Sequence, residues 1–289
     1  MSFSIGVVCS VGVGPEGGGR SRNEDNYLVC RDGRITYLDE GQTQNEAGGG
    51  EGVLLAVCDG MGGHDDGHIA SATAVRVMGK LYRPGVPRDP PRALMKYVSD
   101  SHTRLHWKAR SAGPVVMGTT LTAVWLLGGN AAWTQVGDSR LYIARRGKIR
   151  QITRDHTRNE FASRDGRPGS PDGEHLAQNF IYGSRGLGDD SRLRLERGRD
   201  AGMEPLEVGD FLVLCSDGVS GVLDSMVIRQ VLEQTGEPQA AAQALHDRSI
   251  EQGSTDNVTA LVIRVDELPD EDEDDDDVWE VDDEATIMI

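Results

Sequence analysis

Acidic side chains stand at the ends of short apolar runs throughout this 289-residue sequence. The run VLLAVC ends at Asp59 and the run FLVLCS ends at Asp217, and each aspartate is followed at once by glycine. Carboxylates that meet at the poorly solvated ends of buried strands repel one another unless protons or cations lie between them. The acidic residues in this position are Glu24, Asp25, Asp59, Asp138, Asp217 and Asp256.

Divalent ions that prefer oxygen ligands, Mg²⁺ or Mn²⁺, suit such a group of carboxylates. A single Asp-Gly pair is more often a simple turn. The recurrence of the pattern at strand ends along the whole chain makes the turn interpretation much weaker. The sequence therefore predicts a metal centre built from separate segments.

Eight apolar runs rich in Val, Leu and Ile predict the strands that would carry these residues. Two junctions, Gly128-Gly129 and Gly137-Asp138-Ser139, predict hairpins. Because the strands come in runs and do not alternate with helices, the pattern favours an α+β fold with antiparallel sheets. The predicted strands are Ser4–Val11, Tyr27–Arg31, Val53–Cys58, Thr120–Leu127, Ala131–Val136, Arg140–Arg145, Phe211–Cys215 and Thr259–Val265.

Helical periodicity predicts four helices, of which two begin with a proline suited to a first turn. They are His68–Tyr82, Pro91–Ala109, Ser225–Gln234 and Pro238–Gln252. Two polar segments without periodicity, 39–52 and 156–179, are predicted to be loops, and a loop as long as the second is usually functional.

Composition excludes several classes of protein. Apolar residues make up 37% of the chain, but no run approaches the ~18 residues of a membrane-spanning helix, and the N-terminus lacks the features of a secretory signal. The net charge of −17 arises mainly between Asp266 and Glu284, where 14 residues are acidic and none is basic. The remainder has 33 acidic and 30 basic residues, which gives no support for nucleic-acid binding.

The acidic C-terminus marks the expected domain boundary. Residues 1–265 are predicted to form one domain, and residues 266–289 an acidic tail that is mostly disordered because like charges repel and apolar residues are few. The last five residues, Ala285–Ile289, are apolar and could dock elsewhere.

The remaining motifs are weaker. The four cysteines form no Cys-x-x-Cys pair, which argues against zinc and for reduced thiols in a cytoplasmic protein. The G-x-G-x-x-G match at Gly12–Gly17 precedes no predicted helix, so a dinucleotide site is rejected. The spacing of His102 and His106 resembles a zinc protease without its glutamate, and surface histidines are expected instead. The aspartate run of the tail lacks the pattern of a calcium loop.

Six sequence blocks occur in an order that is typical of one family. The set resembles the PP2C (PPM) family of metal-dependent serine/threonine phosphatases, most closely its bacterial branch, over about residues 4–265. The blocks are Arg20-x-x-x-Glu24-Asp25, Asp59-Gly60-Met61-Gly62-Gly63-His64, Gly118-Thr119-Thr120-Leu121, Val136-Gly137-Asp138-Ser139-Arg140, Cys215-Ser216-Asp217-Gly218 and Asp256-Asn257-Val258-Thr259.

The resemblance implies a four-layer αββα sandwich with two Mn²⁺ or Mg²⁺ ions at one end and a third, weaker site. In this family Asp59 would bridge both ions and the Gly60 carbonyl would bind one of them. Asp217 and Asp256 would bind the second ion, and Asp138 with Asp217 the third. Glu24 and Asp25 would bind directly or through water. Arg20 stands where the family has its phosphate-binding arginine, and residues 156–179 correspond to the variable flap.

The implied function is hydrolysis of phosphoserine and phosphothreonine in proteins by direct attack of a metal-bridging water. The enzyme would oppose a serine/threonine kinase and act as a cytoplasmic monomer without a membrane or nucleic-acid partner. Many eukaryotic members have a histidine two residues after the bridging aspartate, proposed as general acid, where this chain has Met61. The candidates here are His64 and a metal-held water near Asp138.

Two other functions are compatible with the same fold. A degenerate member could act only as a binding module, but this chain has kept every metal aspartate of the family pattern. Alternatively, the acidic tail could bind a basic partner, or fold back and inhibit the site.

Overall fold

The computed structural model describes residues 1–62, 66–112, 117–184, 191–269 and 278–279. The strands are β1 (Ser2–Ser10), β2 (Asn26–Arg31), β3 (Arg34–Asp39), β4 (Gln42–Ala47), β5 (Val53–Cys58), β6 (Gly60–Gly62), β7 (Val86–Pro87), β8 (Met117–Thr119), β9 (Leu121–Leu127), β10 (Asn130–Val136), β11 (Arg140–Arg145), β12 (Lys148–Gln151), β13 (Gln178–Asn179), β14 (Gly183–Ser184), β15 (Ala201–Pro205), β16 (Phe211–Cys215), β17 (Val258–Glu267) and β18 (Val278–Trp279). The helices are α1 (Gly67–Gly79), α2 (Pro90–Ala112), α3 (Arg158–Arg164), α4 (Asp217–Ser220), α5 (Ser225–Thr235) and α6 (Pro238–Glu251), with a 3₁₀ turn at Pro15–Gly17.

Two antiparallel sheets form the centre of the molecule. One has five strands in the order β1-β17-β16-β11-β12, and the other has seven in the order β15-β10-β9-β5-β2-β3-β4. Small pairs join β6 to β8, β13 to β14 and β7 to β18. The α+β prediction with two antiparallel sheets is confirmed.

Apolar side chains fill the space between the sheets and behind each of them. Wholly buried residues from both sheets meet in the middle layer, among them Leu55, Val124, Leu141, Leu214 and Ile263. Behind the seven-stranded sheet lie α1 and α2, and behind the five-stranded sheet lie α5 and α6. This produces the four-layer αββα arrangement that the family resemblance implies.

All eight predicted strands and all four predicted helices are present. The bounds of β5, β11 and β16 match the prediction residue for residue. The hairpin at Gly128-Gly129 is confirmed, because Leu127 pairs with Asn130 across a two-residue turn in which both glycines have positive φ.

The second predicted hairpin, at Gly137-Asp138-Ser139, is wrong. Strand β10 ends at Val136 in the seven-stranded sheet, whereas β11 begins at Arg140 in the five-stranded sheet. The three residues therefore cross from one sheet to the other. We call residues 137–139 the crossover turn.

The predicted loop at 39–52 is also wrong in part, since it contains β4. This strand pairs with β3 through a tight turn at Glu40 and Gly41, which have φ of 50° and 75°. Its side chains are polar and mostly exposed because β4 lies at the edge of its sheet. An edge strand that buries no face lacks the alternation by which strands are recognised.

Two other predictions need correction. The flap, residues 156–179, is not entirely irregular, because it contains α3, whose first turn is capped by the Thr157 hydroxyl accepting from the Glu160 amide. His102 and His106 are buried and not on the surface. The Nδ1 atoms of both rings contact the backbone of Ile181, at 3.1 Å from its nitrogen and 3.0 Å from its oxygen.

The cysteines and the C-terminus complete the description. All four thiols are free; Cys30, Cys58 and Cys215 are buried and Cys9 is half-buried. Within the described ranges, the structure holds no helix with the length and apolar character needed to cross a bilayer. Strand β17 continues to Glu267, and further on Val278 and Trp279 pair in parallel with β7.

Candidate metal centre

The six acidic residues singled out in the sequence come from strand ends that lie at one end of the sandwich. In the seven-stranded sheet, Asn26 pairs with Cys58, so the preceding Asp25 and the following Asp59 leave the same sheet end. In the five-stranded sheet, Arg140 pairs with Cys215, so the crossover turn and Asp217 leave the corresponding end. We call this end of the molecule the site end.

The backbone of Asp59 is bound by two threonines. Its amide donates to Thr120 Oγ1 at 2.8 Å, and its carbonyl accepts from the Thr120 amide and from Thr119 Oγ1, both at 2.9 Å. Thr120 Oγ1 also lies 2.6 Å from Ser139 Oγ in the crossover turn. Asp59 and the crossover turn are therefore attached to the same buried hydroxyl.

The glycines after Asp59 and Asp217 permit close contact between backbones and do not form left-handed turns. A Cβ on Gly60 would lie 2.5 Å from the Glu24 carbonyl oxygen, and one on Gly218 would lie 1.8 Å from the Asn257 carbonyl oxygen. Neither glycine has positive φ. The Asp-Gly pairs are therefore needed to assemble the site from distant segments.

Asn257 joins the first acidic block to the start of β17. Its Oδ1 accepts from the Glu24 amide at 2.8 Å, while its Nδ2 donates to the carbonyl of Arg22 at 3.0 Å. Glu24 in turn accepts from the Gly67 amide through Oε1 at 3.1 Å, at the start of α1. The Glu24 carboxylate therefore faces a helix N-terminus, where negative charge is favoured.

Asp25 is buried against two hydroxyls. Its Oδ2 accepts from Thr259 at 2.7 Å and from Ser216 at 2.8 Å. Burial raises the pKa of Asp25 to about 7, although both hydroxyls lower it, and the charges of Asp217 and Asp256 raise it further. The protonated and ionised forms are thus similarly populated near neutral pH unless a cation compensates the charge.

The other carboxylates show that the site has an excess of negative charge. Burial raises the pKa of Asp59 well above its ordinary value, and the charges of Asp25, Asp217, Asp138 and Asp256 add to the effect. Burial and then Asp217 raise the pKa of Asp138 to about 7. Burial and Asp256 also raise the pKa of Asp217, while a hydrogen bond with Asp59 lowers it.

Arg20 contacts the site through Asp256. Its Nε and Nη2 donate to the two carboxylate oxygens at 2.8 and 2.7 Å, a bidentate pair. The hydrogen bond and charge of Asp256 raise the pKa of Arg20, and Asp59 and Glu24 add to this. The Arg20 side chain is 58% exposed, so it is accessible to a bound anion.

The donor set fits hard divalent cations. Within the described ranges, no three histidine, cysteine or acidic side chains are arranged as a ready metal-ligand set. Asp256 instead faces Arg20, and Asp25 faces two hydroxyls. The chemistry is nonetheless that of oxygen ligands whose repulsion a cation would relieve. Burial, and next the charge of Asp25, raises the pKa of the nearby Cys9 thiol to about 12, so a thiolate ligand is disfavoured.

Sequence reasoning missed the residues that hold the carboxylates. Thr120, Ser216, Asn257 and Thr259 lie inside the quoted motif blocks, but no role was predicted for them. For Ser216 and Asn257 the available signal was their position beside a motif aspartate, whereas Thr120 and Thr259 offered no such signal. His64, the candidate general acid, lies outside the described residues.

Comparison with known proteins gives one consistent result. A family model for "Protein phosphatase 2C" matches residues 39–253, which include Asp59, Asp138 and Asp217. Arg20, the first acidic block and Asp256 lie outside the matched range.

Curated relatives and solved structures agree with the family match. The chain is 27% identical over 216 residues to the serine/threonine phosphatase Stp of Listeria welshimeri, covering 73% of this chain and 83% of that one. It is 30% identical over 218 residues to the serine/threonine protein phosphatase PstP of Mycobacterium tuberculosis, covering 73% and 40%. The crystal structure of the catalytic domain of a PstP in complex with two manganese ions superimposes with a TM-score of 0.67 and 27% identity, covering 92% of this chain and 99% of that one.

Proposed function

The chain belongs to the protein phosphatase 2C family, and from this premise we propose that it hydrolyses phosphoserine and phosphothreonine in proteins with the help of two Mn²⁺ or Mg²⁺ ions. The observation that carries the proposal is the convergence of five aspartates, four of them with raised pKa values, beside an accessible arginine.

The aspartates supply the metal ligands in this proposal. Asp59 would bridge the two ions, with the Gly60 carbonyl on one of them and Asp217 and Asp256 on the other. Glu24 and Asp25 would bind directly or through water, and Asp138 with Asp217 would hold a third, weaker ion. Ions bound in pairs lower the pKa of water and neutralise charge that develops on phosphate oxygens.

Arg20 would bind and orient the substrate phosphate. A planar guanidinium matches two phosphate oxygens, as it matches the two oxygens of Asp256 here. Binding of phosphate by Arg20 would release Asp256 for a metal ion. Arg20 would therefore exchange Asp256 for the substrate phosphate, and Asp256 would exchange Arg20 for a metal ion.

A proton must also reach the departing serine or threonine oxygen. Two donors are part of the proposal as alternatives, His64 and a water held beside Asp138.

The proposed partners are phosphoproteins and a serine/threonine kinase whose products the enzyme would dephosphorylate. The enzyme would act as a monomer. A cytoplasmic location suits the four free thiols.

The test is phosphate release from phosphothreonine and phosphoserine peptides, and from p-nitrophenyl phosphate, with Mn²⁺ or with EDTA. We expect release only with the metal, and none from Asp59→Asn under the same conditions. Equal rates with Mn²⁺ and EDTA, or a fully active Asp59→Asn enzyme, would contradict the proposal. A wild type active on p-nitrophenyl phosphate but inactive on both peptides would contradict its substrate class.

A further inference from the structure

A wholly buried histidine, the first residue of the flap, faces the crossover turn. His156 has no exposed surface, and neither has the Asp200 carboxylate with which its ring pairs. It belongs to neither the metal ligands nor the phosphate-binding group. Its two ring nitrogens contact different parts of the molecule.

The Nδ1 side of the ring faces the crossover turn. His156 Nδ1 accepts from the Gly137 amide at 3.2 Å and from Gln178 Nε2 at 3.0 Å. The His156 amide donates to the Gly137 carbonyl at 2.9 Å, so one residue binds both backbone groups of Gly137. Since Nδ1 accepts, these partners assign the ring proton to Nε2.

The Nε2 side faces a buried ion pair. His156 Nε2 donates to Asp200 Oδ1 at 2.9 Å, and Arg164 of α3 binds the two oxygens of Asp200 at 2.7 Å each. The Glu196 amide donates to the same carboxylate at 2.8 Å. The carboxylate is thus saturated by partners from the flap and from the segment that follows it.

Gly137 is a position where a small displacement matters. Its φ is 109°, and a Cβ there would lie 2.7 Å from Thr120 Cγ2. Thr120 binds the backbone of Asp59, and Asp138 directly follows Gly137. A group that fixes the Gly137 peptide therefore fixes the position of Asp138 relative to Asp59.

We propose that His156 is a positioning residue: through Nδ1 it holds the crossover turn and hence Asp138, and through Nε2 it attaches that turn to Asp200 and to Arg164 in the flap. Asp138 and the base of the flap then move as one unit. The consequence for metal binding and turnover rests on the proposed function, whereas the contact itself does not.

The molecule contains a matched control at the opposite end of the sandwich. Asp210 is as buried as Asp200, binds Arg145 through two oxygens at 2.7 and 2.5 Å, and accepts from the Glu207 amide at 2.8 Å. It forms the same kind of arginine–carboxylate pair, with a more exposed arginine, and has no contact with the crossover turn. Asp210→Asn therefore measures what loss of such a pair does to stability alone.

Two substitutions of His156 separate the effect of the Nδ1 contact with Gly137 from that of the Nε2 contact with Asp200. The side-chain amide of His156→Asn reaches the position of Nδ1 and can accept from Gly137, but it cannot reach Asp200. The longer His156→Gln can donate to Asp200 from the position of Nε2, but it places no acceptor beside Gly137. Both variants keep a polar group in the buried site, so both are expected to fold.

The first readout is amide hydrogen exchange of Gly137, measured relative to the Trp133 amide in β10, which corrects for global opening. We expect exchange to be about tenfold faster in His156→Gln and close to wild type in His156→Asn and Asp210→Asn, because only His156→Gln loses the acceptor of the Gly137 amide. Equal relative exchange in all four proteins would overturn the proposal.

The second readout is kcat and the Mn²⁺ concentration that gives half-maximal activity. We expect His156→Gln to lower kcat about tenfold and to require several-fold more Mn²⁺, whereas His156→Asn and Asp210→Asn keep both values but melt at lower temperature. If both histidine variants shift these values equally, the residue is merely structural and the proposal is wrong. A wild type that releases no phosphate would contradict the proposed function, and the exchange measurement would still decide this inference.

Discussion

The two ends of the sandwich carry the same kind of residue with opposite partners. At the site end, Asp217 and Asp59 lie close to other carboxylates. At the far end, where β16 begins and β17 finishes, Asp210 is bound by Arg145 and Asp266 by Arg264. A strand that ends in aspartate is thus common to both ends and indicates nothing about function by itself.

The difference appears in the acidity of the carboxyl groups. Burial raises the pKa values of Asp25 and Asp138 to about 7, with few cations to oppose it. Burial alone would also raise the pKa of Asp266, but hydrogen bonds from Ser4 and Arg264 outweigh it and lower the pKa. At the far end, arginines already balance the charge of the carboxylates. At the site end, that charge is balanced only when protons or metal ions are bound.

The largest expected effect is the loss of turnover when a site-end carboxylate is neutralised. Asp59→Asn should lower kcat more than about a thousandfold at saturating Mn²⁺, because a proposed bridging ligand loses its charge. The matched change at the far end, Asp266→Asn, should leave kcat within twofold. Phosphopeptide turnover of the two variants side by side tests this, and similar activity in both would remove the distinction between the ends.

The second prediction concerns stability, for which the far-end substitution should have the larger effect and the site-end substitution the smaller. Asp210→Asn should lower the free energy of unfolding by roughly 2–4 kcal/mol, because it removes the buried carboxylate that binds Arg145 through two oxygens and leaves Arg145, among the described residues, only its ion pair with Glu207. Asp59→Asn, measured in EDTA, should be neutral or stabilising, because it removes one of several repelling charges. Urea unfolding gives both values, and a larger loss for Asp59→Asn would contradict the proposed excess of negative charge.

The third prediction concerns pH. A carboxyl group whose folded pKa is raised stabilises the fold at low pH, and this contribution is lost as pH rises through the folded value. For Asp25 and Asp138 the window lies between about 4 and 7. In EDTA, the melting temperature should therefore fall from pH 5 to pH 8.

The same argument predicts how Mn²⁺ acts. The rise in melting temperature on adding Mn²⁺ should grow from pH 5 to pH 8, because the ion replaces protons at the site end. Asp25→Asn should flatten the pH dependence in EDTA. Asp266→Asn should not, since the far-end carboxylate, whose pKa is lowered, loses its contribution only below about pH 4. A Mn²⁺ effect independent of pH would contradict this account.

A smaller effect is expected at Arg20, the cation that the site end shares with its substrate. Arg20→Ala should raise KM for a phosphopeptide about tenfold, and Arg20→Lys should recover only part of the loss because it lacks the bidentate geometry. The melting temperature should hardly change, since the pair with Asp256 is largely exposed. Unchanged KM in both variants would exclude Arg20 from phosphate binding.

The smallest effect is expected from the acidic tail. Strand β17 has ten residues, so the chain leaves it about 30 Å from its start beside Asp256, at the far end. The described part of the tail pairs with β7 through Val278 and Trp279, so we expect truncation after Pro269 to change KM less than twofold even at low salt. A several-fold fall in KM that disappears as salt is added would show that the tail reaches the site.

The sequence by itself was sufficient for features that depend on local pattern. The apolar runs of β5 and β16 end directly before the polar residues Asp59 and Ser216, and β11 ends before the turn at Arg146 and Gly147, both of which have positive φ. The order of the motif blocks was enough to identify the family, and the position of each aspartate at a strand end indicated which side chains could meet. The uneven distribution of charge along the chain also needed no structure.

Only the tertiary structure decided which strands are neighbours and which side chains are paired. Local pattern shows that β10 and β11 are each buried, but not that the crossover turn joins two sheets. It likewise could not show that His102, His106 and His156 are buried, since a histidine is polar in sequence and becomes an interior residue only when backbone groups or a carboxylate meet its ring. Asp59 and Asp210 look alike in the sequence; the partner that folding brings to each, another carboxylate or an arginine, determines whether it requires a cation.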